Sequence, residues 1–435
     1  MTPRRIVACG SLASVLLFST AAHAAYLDYI VGLGIEHNDN IDFSADDPIS
    51  DNILIPSLAF TLSEQGSTVQ AQVAGRLEYR DYLGGSYSGE FRNAIEGTVN
   101  WVLLPERLSL VVQDNLGVDR VSVSDPDTPS NLQQTNVFAI GPNLLFRLGP
   151  TLQGQAELRY VNSYAEVTDG FNSQRYGTAL RLGKDLSTTS RLSANAQVWR
   201  TDYKDADAID YDRYDLFARY MHRLSQFDLQ ADVGWSWIDF DQNAGNRSNP
   251  LLRGNATWRA TGQTSLGATV ARQYSDSSSE IIDAATTIGG IPPSIVIGDT
   301  QVGGFVFRDT SVALNYAYQG VRFGATVSPF YRQWHYLDDG DIQTGLDQDS
   351  RGIVLGASWL LRPLLMLDAS VRHEKINYET SDRHDKDMEL RVGLRQQWTR
   401  HWSWHGDVRH WRRSSSVEDG GFTQNLIFFG VTYAR

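Results

Sequence analysis

The chain has 435 residues, 41% hydrophobic and 20% charged, with a formal net charge of −13. That acidity, without a basic patch of the nucleic-acid kind, excludes a DNA- or RNA-binding role. The one cysteine, Cys9, excludes a disulfide framework.

The first 24 residues read as a removable leader. MTPRR is a basic start, IVACGSLASVLLFST an apolar stretch, and Ala22-His23-Ala24 a small-residue cleavage signal, so the mature chain is expected to begin at Ala25. Removing Arg4 and Arg5 with the leader leaves 36 basic against 51 acidic residues, a formal charge of −15. Four of the basic residues are Lys (184, 204, 375 and 386) and the rest are Arg. Beyond the leader the longest uncharged run is AATTIGGIPPSIVIG (284–298), 15 residues broken by Gly-Gly and Pro-Pro. A spanning helix needs about 20 apolar residues, so any membrane crossing must be made by strands.

Period-two patterning fills the rest. Leu27, Tyr29, Val31, Leu33 and Ile35 form one apolar stripe; Leu54, Pro56, Leu58, Phe60 and Leu62 form the next. TVQAQVAGRLEYR (68–80) alternates Val69, Ala71, Val73, Gly75, Leu77 and Tyr79 with Gln70, Gln72, Ala74, Arg76, Glu78 and Arg80. Such alternation is a strand with one apolar and one polar face. Later examples are Ile95–Leu103, Phe138–Phe146, Phe227–Trp237, Ile353–Leu361 and the closing Ile427, Phe429, Val431 and Tyr433. Each run suits the roughly 9–11 residues with which a tilted strand crosses a bilayer. The expected count is 20 strands, with 18 the alternative.

Short connections such as LPER (104–107), STTS (187–190), QG (319–320) and RPLL (362–365) alternate with long polar ones such as NDNIDFSADDPISD (38–51) and LDDGDIQTGLDQDS (337–350). Turns on one side and loops on the other mark a transmembrane antiparallel up-and-down β-barrel of the Gram-negative outer membrane. Both chain ends then fall on the periplasmic side. Trp101, Trp258, Trp359, Trp398, Trp402 and Trp404 sit at lipid-facing parity beside short turns, as an interfacial girdle would. The apolar face is therefore expected to meet lipid and the polar face a lumen. Asp114 breaks the scheme, with lipid parity in LSLVVQDNLGV; a bulge or a subunit contact would relieve it. The pattern P-x-L-x-F-x-L occurs twice, at 56–62 and 142–148.

The same parity turns a set of arginines inward: Arg76, Arg80, Arg92, Arg147, Arg159, Arg181, Arg219, Arg253, Arg259, Arg322, Arg332, Arg372, Arg391, Arg395 and Arg409. Inward acids include Glu78, Glu96, Glu157, Asp232, Glu374, Glu389 and Asp407. Guanidinium forks bind carboxylates and phosphates, which suits a conduit for something anionic or rich in hydroxyls. The plainer reading is a set of cross-strand Arg–acid ladders that hold the wall together. An 18–20-stranded barrel is too wide for side chains to fill. Tyr26 follows the expected cleavage site almost directly, leaving no room for a plug ahead of the first strand, so the long segment 275–304, apolar in its middle, is the candidate constriction. His401, His405 and His410 do not share a face, the Asp-rich loops match no calcium-loop spacing, and no Ser–His–Asp set converges. Neither metal, cofactor nor catalytic residues are expected.

The start of the mature chain, YIVGLGIEHNDNIDFS followed by ILIPSLAFTL and EYRDYLGG, resembles the EpsL-like outer-membrane barrels encoded with exopolysaccharide biosynthesis systems, and their relatives at exosortase-type loci. The resemblance implies a role in polysaccharide export or surface assembly and supplies no catalytic residues. The expectation is a single barrel over 25–435 acting as an exopolysaccharide conduit. Its partners would be outer-membrane lipid and lipopolysaccharide, an anionic polysaccharide and periplasmic export components. A general or anion-preferring porin, and a surface scaffold with acidic loops, are the alternatives.

Overall fold

The computed structural model describes residues 25–435 except 123–124, 126, 206, 243–244, 286–301, 338–346 and 380–381. Twenty strands follow one another along the chain. The first ten are β1 (Tyr26–Asn38), β2 (Asp51–Gln65), β3 (Val69–Tyr82), β4 (Glu90–Leu104), β5 (Leu108–Arg120), β6 (Leu132–Arg147), β7 (Leu152–Ala165), β8 (Ser173–Asp185), β9 (Ser190–Tyr203) and β10 (Tyr211–Arg223). The others are β11 (Phe227–Phe240), β12 (Asn246–Arg259), β13 (Thr264–Asp276), β14 (Val306–Gln319), β15 (Phe323–Tyr336), β16 (Gln348–Arg362), β17 (Leu365–Tyr378), β18 (Arg383–Gln397), β19 (Trp402–Ser415) and β20 (Phe422–Ala434). A helix, α1 (Ser277–Ala285), follows β13.

Each strand pairs antiparallel with its sequence neighbours, and β1 pairs with β20 from Ile30↔Ala434 to Asn38↔Leu426. Closure leaves no open edge, the condition for a sheet to lie in lipid with its backbone groups paired. Connections at one end run from two residues (363–364) to four (148–151). At the other end they reach 29 residues between β13 and β14. The 20-strand barrel expected from patterning is the one observed, with β1 starting and β20 ending at the short-turn end.

The register fixes the faces. Leu33 lies opposite both Pro56 and Val431, and Leu58 opposite Leu77, so the apolar stripes join into a continuous outer band. Leu27, Leu33, Leu158, Leu216, Val233 and Phe429 are all exposed on it. Trp101, Trp258, Trp359, Trp398 and Trp402 are exposed near the short turns, and Trp237 near the opposite rim. The repeated P-x-L-x-F-x-L element has a packing reason. Phe60 lies opposite Gly75 and Phe146 opposite Gly154, each ring covering the glycine so closely that a side chain there would collide. An aromatic over a cross-strand glycine fills a gap the lipid face would otherwise show.

Asp114 needs no bulge. Its register runs unbroken, opposite Gly97 on one side and Phe138 on the other. It stays on the outer face, only 2% exposed, and accepts a 2.7 Å hydrogen bond from Asn136 Nδ2, two residues along the neighbouring strand. Neighbouring side chains shield this carboxylate from lipid.

Inward positions change along each strand. In β7, Gln153, Gln155, Glu157 and Arg159 are half-buried, whereas Val161, Ser163 and Ala165 toward the loop end are buried. In β1, Asp28 is exposed but Gly32, Gly34, Glu36 and Asn38 are buried. The extracellular half of the lumen is filled and the periplasmic half is open. Apolar clusters sit in the filled half: Ile41, Ile53, Ile55 and Tyr82 in one, Phe307, Trp334 and Tyr336 in another.

Candidate functional site

Most of the arginines selected by parity do point inward, and most are held by carboxylates. Arg76 pairs with Glu78 (2.5 Å), Arg80 with Glu36 (2.6 Å), Arg92 with Glu90 (2.6 Å), Arg372 with Glu374 (2.7 Å) and Arg391 with Asp407 (2.9 Å). Glu157 takes Arg181 and, at 3.9 Å, Arg159. Asp232 accepts two bonds from Arg219 (2.7 and 2.8 Å) and one from Arg253 (3.0 Å). Arg259 pairs with Asp228 at the more open end (2.6 Å). Arg147, bonded to Glu106 at 3.5 Å, is at the periplasmic rim and largely exposed. Arg322 is not in the wall: β14 runs through Gln319 and β15 begins at Phe323, which places it in the exposed turn.

Arg332, Arg395 and Arg409 pair with no carboxylate among the described residues. Arg332 lies over the Trp334 ring at 5.0 Å. Arg409 lies over Trp411 at 5.6 Å and donates to Gln424 at 2.8 Å. Arg395 and Arg409 line, with Arg76, Arg80, Arg391 and His405, a cavity of about 420 Å³ against β1–β4 and β18–β20. Asp127 and Pro129, from the β5–β6 loop, reach into the same cavity, so that loop also folds inward.

The larger insertion comes from β13. This strand stays paired with β12 only up to Leu252↔Arg272; above that it leaves the wall while β14 follows it. Asp276 then meets Arg175 (2.6 Å) and accepts from the Tyr211 hydroxyl (3.3 Å). Ser278 Oγ lies 2.7 Å from Ser163 Oγ on β7, and Asn115 on β5 donates to the Ile281 carbonyl at 2.6 Å. On the return, Val302 is fully buried among the inward Val137, Ala139, Val161 and Ala165, with Phe171 beside them. The segment thus leaves β13 and seats both its ends on β5–β8, several strands away around the lumen. A second cavity of about 350 Å³ lies beneath it, lined by Arg159, Arg175, Arg213, Arg253, Trp199 and Tyr274 among others. The expected constriction is therefore in place at both ends; its apolar middle, IGGIPPSIVIG, and Asp338, Asp339 and Asp341 lie outside the described residues.

No known family model matches the chain, and no curated protein matches it in sequence. Its backbone is similar to that of the ferric enterobactin receptor PfeA from Pseudomonas aeruginosa. A variant of that receptor aligns over 95% of this chain and 81% of its own at 9% identity, with a TM-score of 0.50. The same receptor in complex with BCV-L6 gives 95% and 82% coverage, 10% identity and 0.50. At such identity the likeness is one of fold, and with the apolar band and closed sheet it decides the class. The chain is a Gram-negative outer-membrane β-barrel.

The barrel's histidines are dispersed: His405 faces the lumen against Phe428, His410 faces outward and bonds Asn425 (2.7 Å), and His401 lies in a turn beside the Ala434 carbonyl (2.9 Å). Arg175, Arg213 and Arg413 are inward, buried or half-buried arginines absent from the set named above, paired with Asp276, Asp215 and Asp387. The parity that picks Arg181 and Arg219 picks Arg175 and Arg213 too. At the acidic outer rim Arg200 gathers Asp202, Asp210, Asp212 and Asp241. Its hydrogen bond holds the Asp241 carboxyl below the usual carboxylate range.

Proposed function

We propose that the barrel is a passive, constricted conduit for an anionic or hydroxyl-rich saccharide, the use made of it being export or surface assembly of an exopolysaccharide. The observation that carries this reading is the β13–α1 segment seated across the lumen on β5–β8, with one arginine-lined cavity against it and a second against β1–β4 and β18–β20. In the first cavity Arg395 and Arg409 form no ion pair with a carboxylate among the described residues, so they are the lining arginines left able to meet a sugar acid; Arg76, Arg80 and Arg391 are engaged by the wall. Polyvalent, weak contacts of this kind favour transit over retention.

The test is planar-bilayer conductance of the refolded barrel with oligogalacturonate on either side. The expected result is a small conductance, blocked from one side by the oligomer, with block weakened about tenfold in Arg395→Ala/Arg409→Ala. Removal of residues 277–304 is expected to raise conductance several-fold. Conductance indifferent to acidic and neutral oligosaccharides alike would replace this reading with a general porin. A folded barrel that stays silent even without 277–304 would favour a surface scaffold.

A further inference from the structure

Arg351, Lys375, Lys386 and Arg412 lie on the outer face at the extracellular end of β16–β19. Arg351 is directly opposite Lys375, and Lys375 directly opposite Lys386, so three cations share one rung across three strands. Arg412 is opposite Met388, one outward position below that rung on the next strand. Like charges directly opposite on one sheet face repel, and a wall built only for stability would not stack them. Most of the inward arginines are answered by acids, whereas among the described residues these four outward cations make neither an ion pair nor a hydrogen bond. The neighbouring Asp385 and Asp387 are turned inward to Arg383 and Arg413. On the outer face Asp349, the outward position before Arg351, is engaged by Asn377 at 2.9 Å.

Their height is as telling as their company. The outward positions below them are apolar: Ile353 on β16, Val371 on β17, Met388 and Leu390 on β18, Val408 on β19. His373 and His410 mark the change. The cations stand immediately above the hydrocarbon band, where charge costs little and lipid phosphates lie. Adjacent strands are about 4.8 Å apart, so the three-cation rung spans roughly 10 Å, the width of a phosphorylated sugar headgroup. Two of the four lysines in the whole chain are spent here, and a lysine ammonium is a compact point charge suited to phosphate.

We propose that this arc is a binding site for the phosphorylated glucosamine headgroup of lipopolysaccharide, whose acyl chains lie on the apolar band below. It is independent of what passes through the lumen. The cations supply the neutralisation that lipopolysaccharide phosphates otherwise draw from divalent metal, so the lipid held here resists chelation.

The test is native mass spectrometry of the refolded barrel with bisphosphorylated lipid A, enzymatically dephosphorylated lipid A, or inorganic phosphate, each in EDTA. Expected is a tightly held lipid A, at least tenfold weaker binding once the phosphates are removed, and no competition by millimolar inorganic phosphate. Lys375→Gln/Lys386→Gln should lose about tenfold in affinity, and the variant with Arg351→Gln and Arg412→Gln added should lose retention altogether. Folding is checked by the compact, heat-modifiable form on gels. Equal retention by the folded fourfold variant, equal binding of dephosphorylated lipid, or displacement by inorganic phosphate would each overturn the proposal.

Discussion

Two parts of the wall pose the same electrostatic problem and solve it differently. On β10–β12 Arg219 and Arg253 converge on the lumen from either side, and Asp232 stands between them, directly opposite both and fully buried. On β16–β18 Arg351, Lys375 and Lys386 stand in a row on the outer face with no acid between them. Where Arg219 and Arg253 meet across Asp232, the wall itself supplies the counter-charge. A row facing the headgroup layer can be neutralised by lipid. Arrangements that look alike along the strands thus have opposite meanings: the inner one is part of the wall, the outer one a site.

That contrast can be broken from either side. The largest effect is expected from Asp232→Asn, which leaves two partly buried guanidinium groups facing each other. It should cost about 3 kcal/mol in urea-dependent folding into bilayers, while Asp232→Leu combined with Arg219→Met and Arg253→Met should recover most of the loss. A small cost for the single variant would mean that the lumen wall, like the outer face, draws its counter-charge from elsewhere. Next comes Ser163→Cys/Ser278→Cys, which should cross-link spontaneously in a barrel that holds no cysteine in residues 25–435 and change conductance by less than about twofold, since the segment is already seated. Failure to cross-link in oxidised samples would remove the constriction. A smaller effect is expected at Asp114, among the described residues the one acid on the lipid-facing side at mid-strand. Asn136→Leu should cost about 2 kcal/mol by withdrawing a donor from a buried carboxylate, but Asp114→Leu/Asn136→Leu less than about 1 kcal/mol. Matching costs for the single and double variants would show that the shielding by neighbours, rather than the hydrogen bond, makes the charge tolerable.

The barrel was legible because its information is local. Alternation of Val69, Ala71 and Val73 with Gln70, Gln72 and Ala74 states which way each side chain points, whatever pairs with it. The same rule reached Arg76, Arg219 and Arg391 and placed them in the lumen, where they lie. It erred at Arg322, because parity cannot tell the last residue of a turn from the first of a strand. It could not say that Arg395 and Arg409 differ from Arg76 and Arg391, since a partner may lie two residues away on the same strand, as Glu78 does, or on the strand after next, as Glu36 does for Arg80. Nor could it show that Phe60 and Phe146 recur in order to cover Gly75 and Gly154.

The sequence by itself determined the class of protein, which face of each strand meets lipid and which end carries the loops, and narrowed the strand count to 20 or 18, because Cβ alternation and turn length are properties of a few consecutive residues. The tertiary structure decided which arginines are engaged, where β13 leaves the wall, and which outward cations end up on one rung. Those depend on register between strands and on contacts between residues over a hundred positions apart, such as Ser163 with Ser278. Pairing of neighbouring strands in one register, and the departure of β13 from the wall, bring them together.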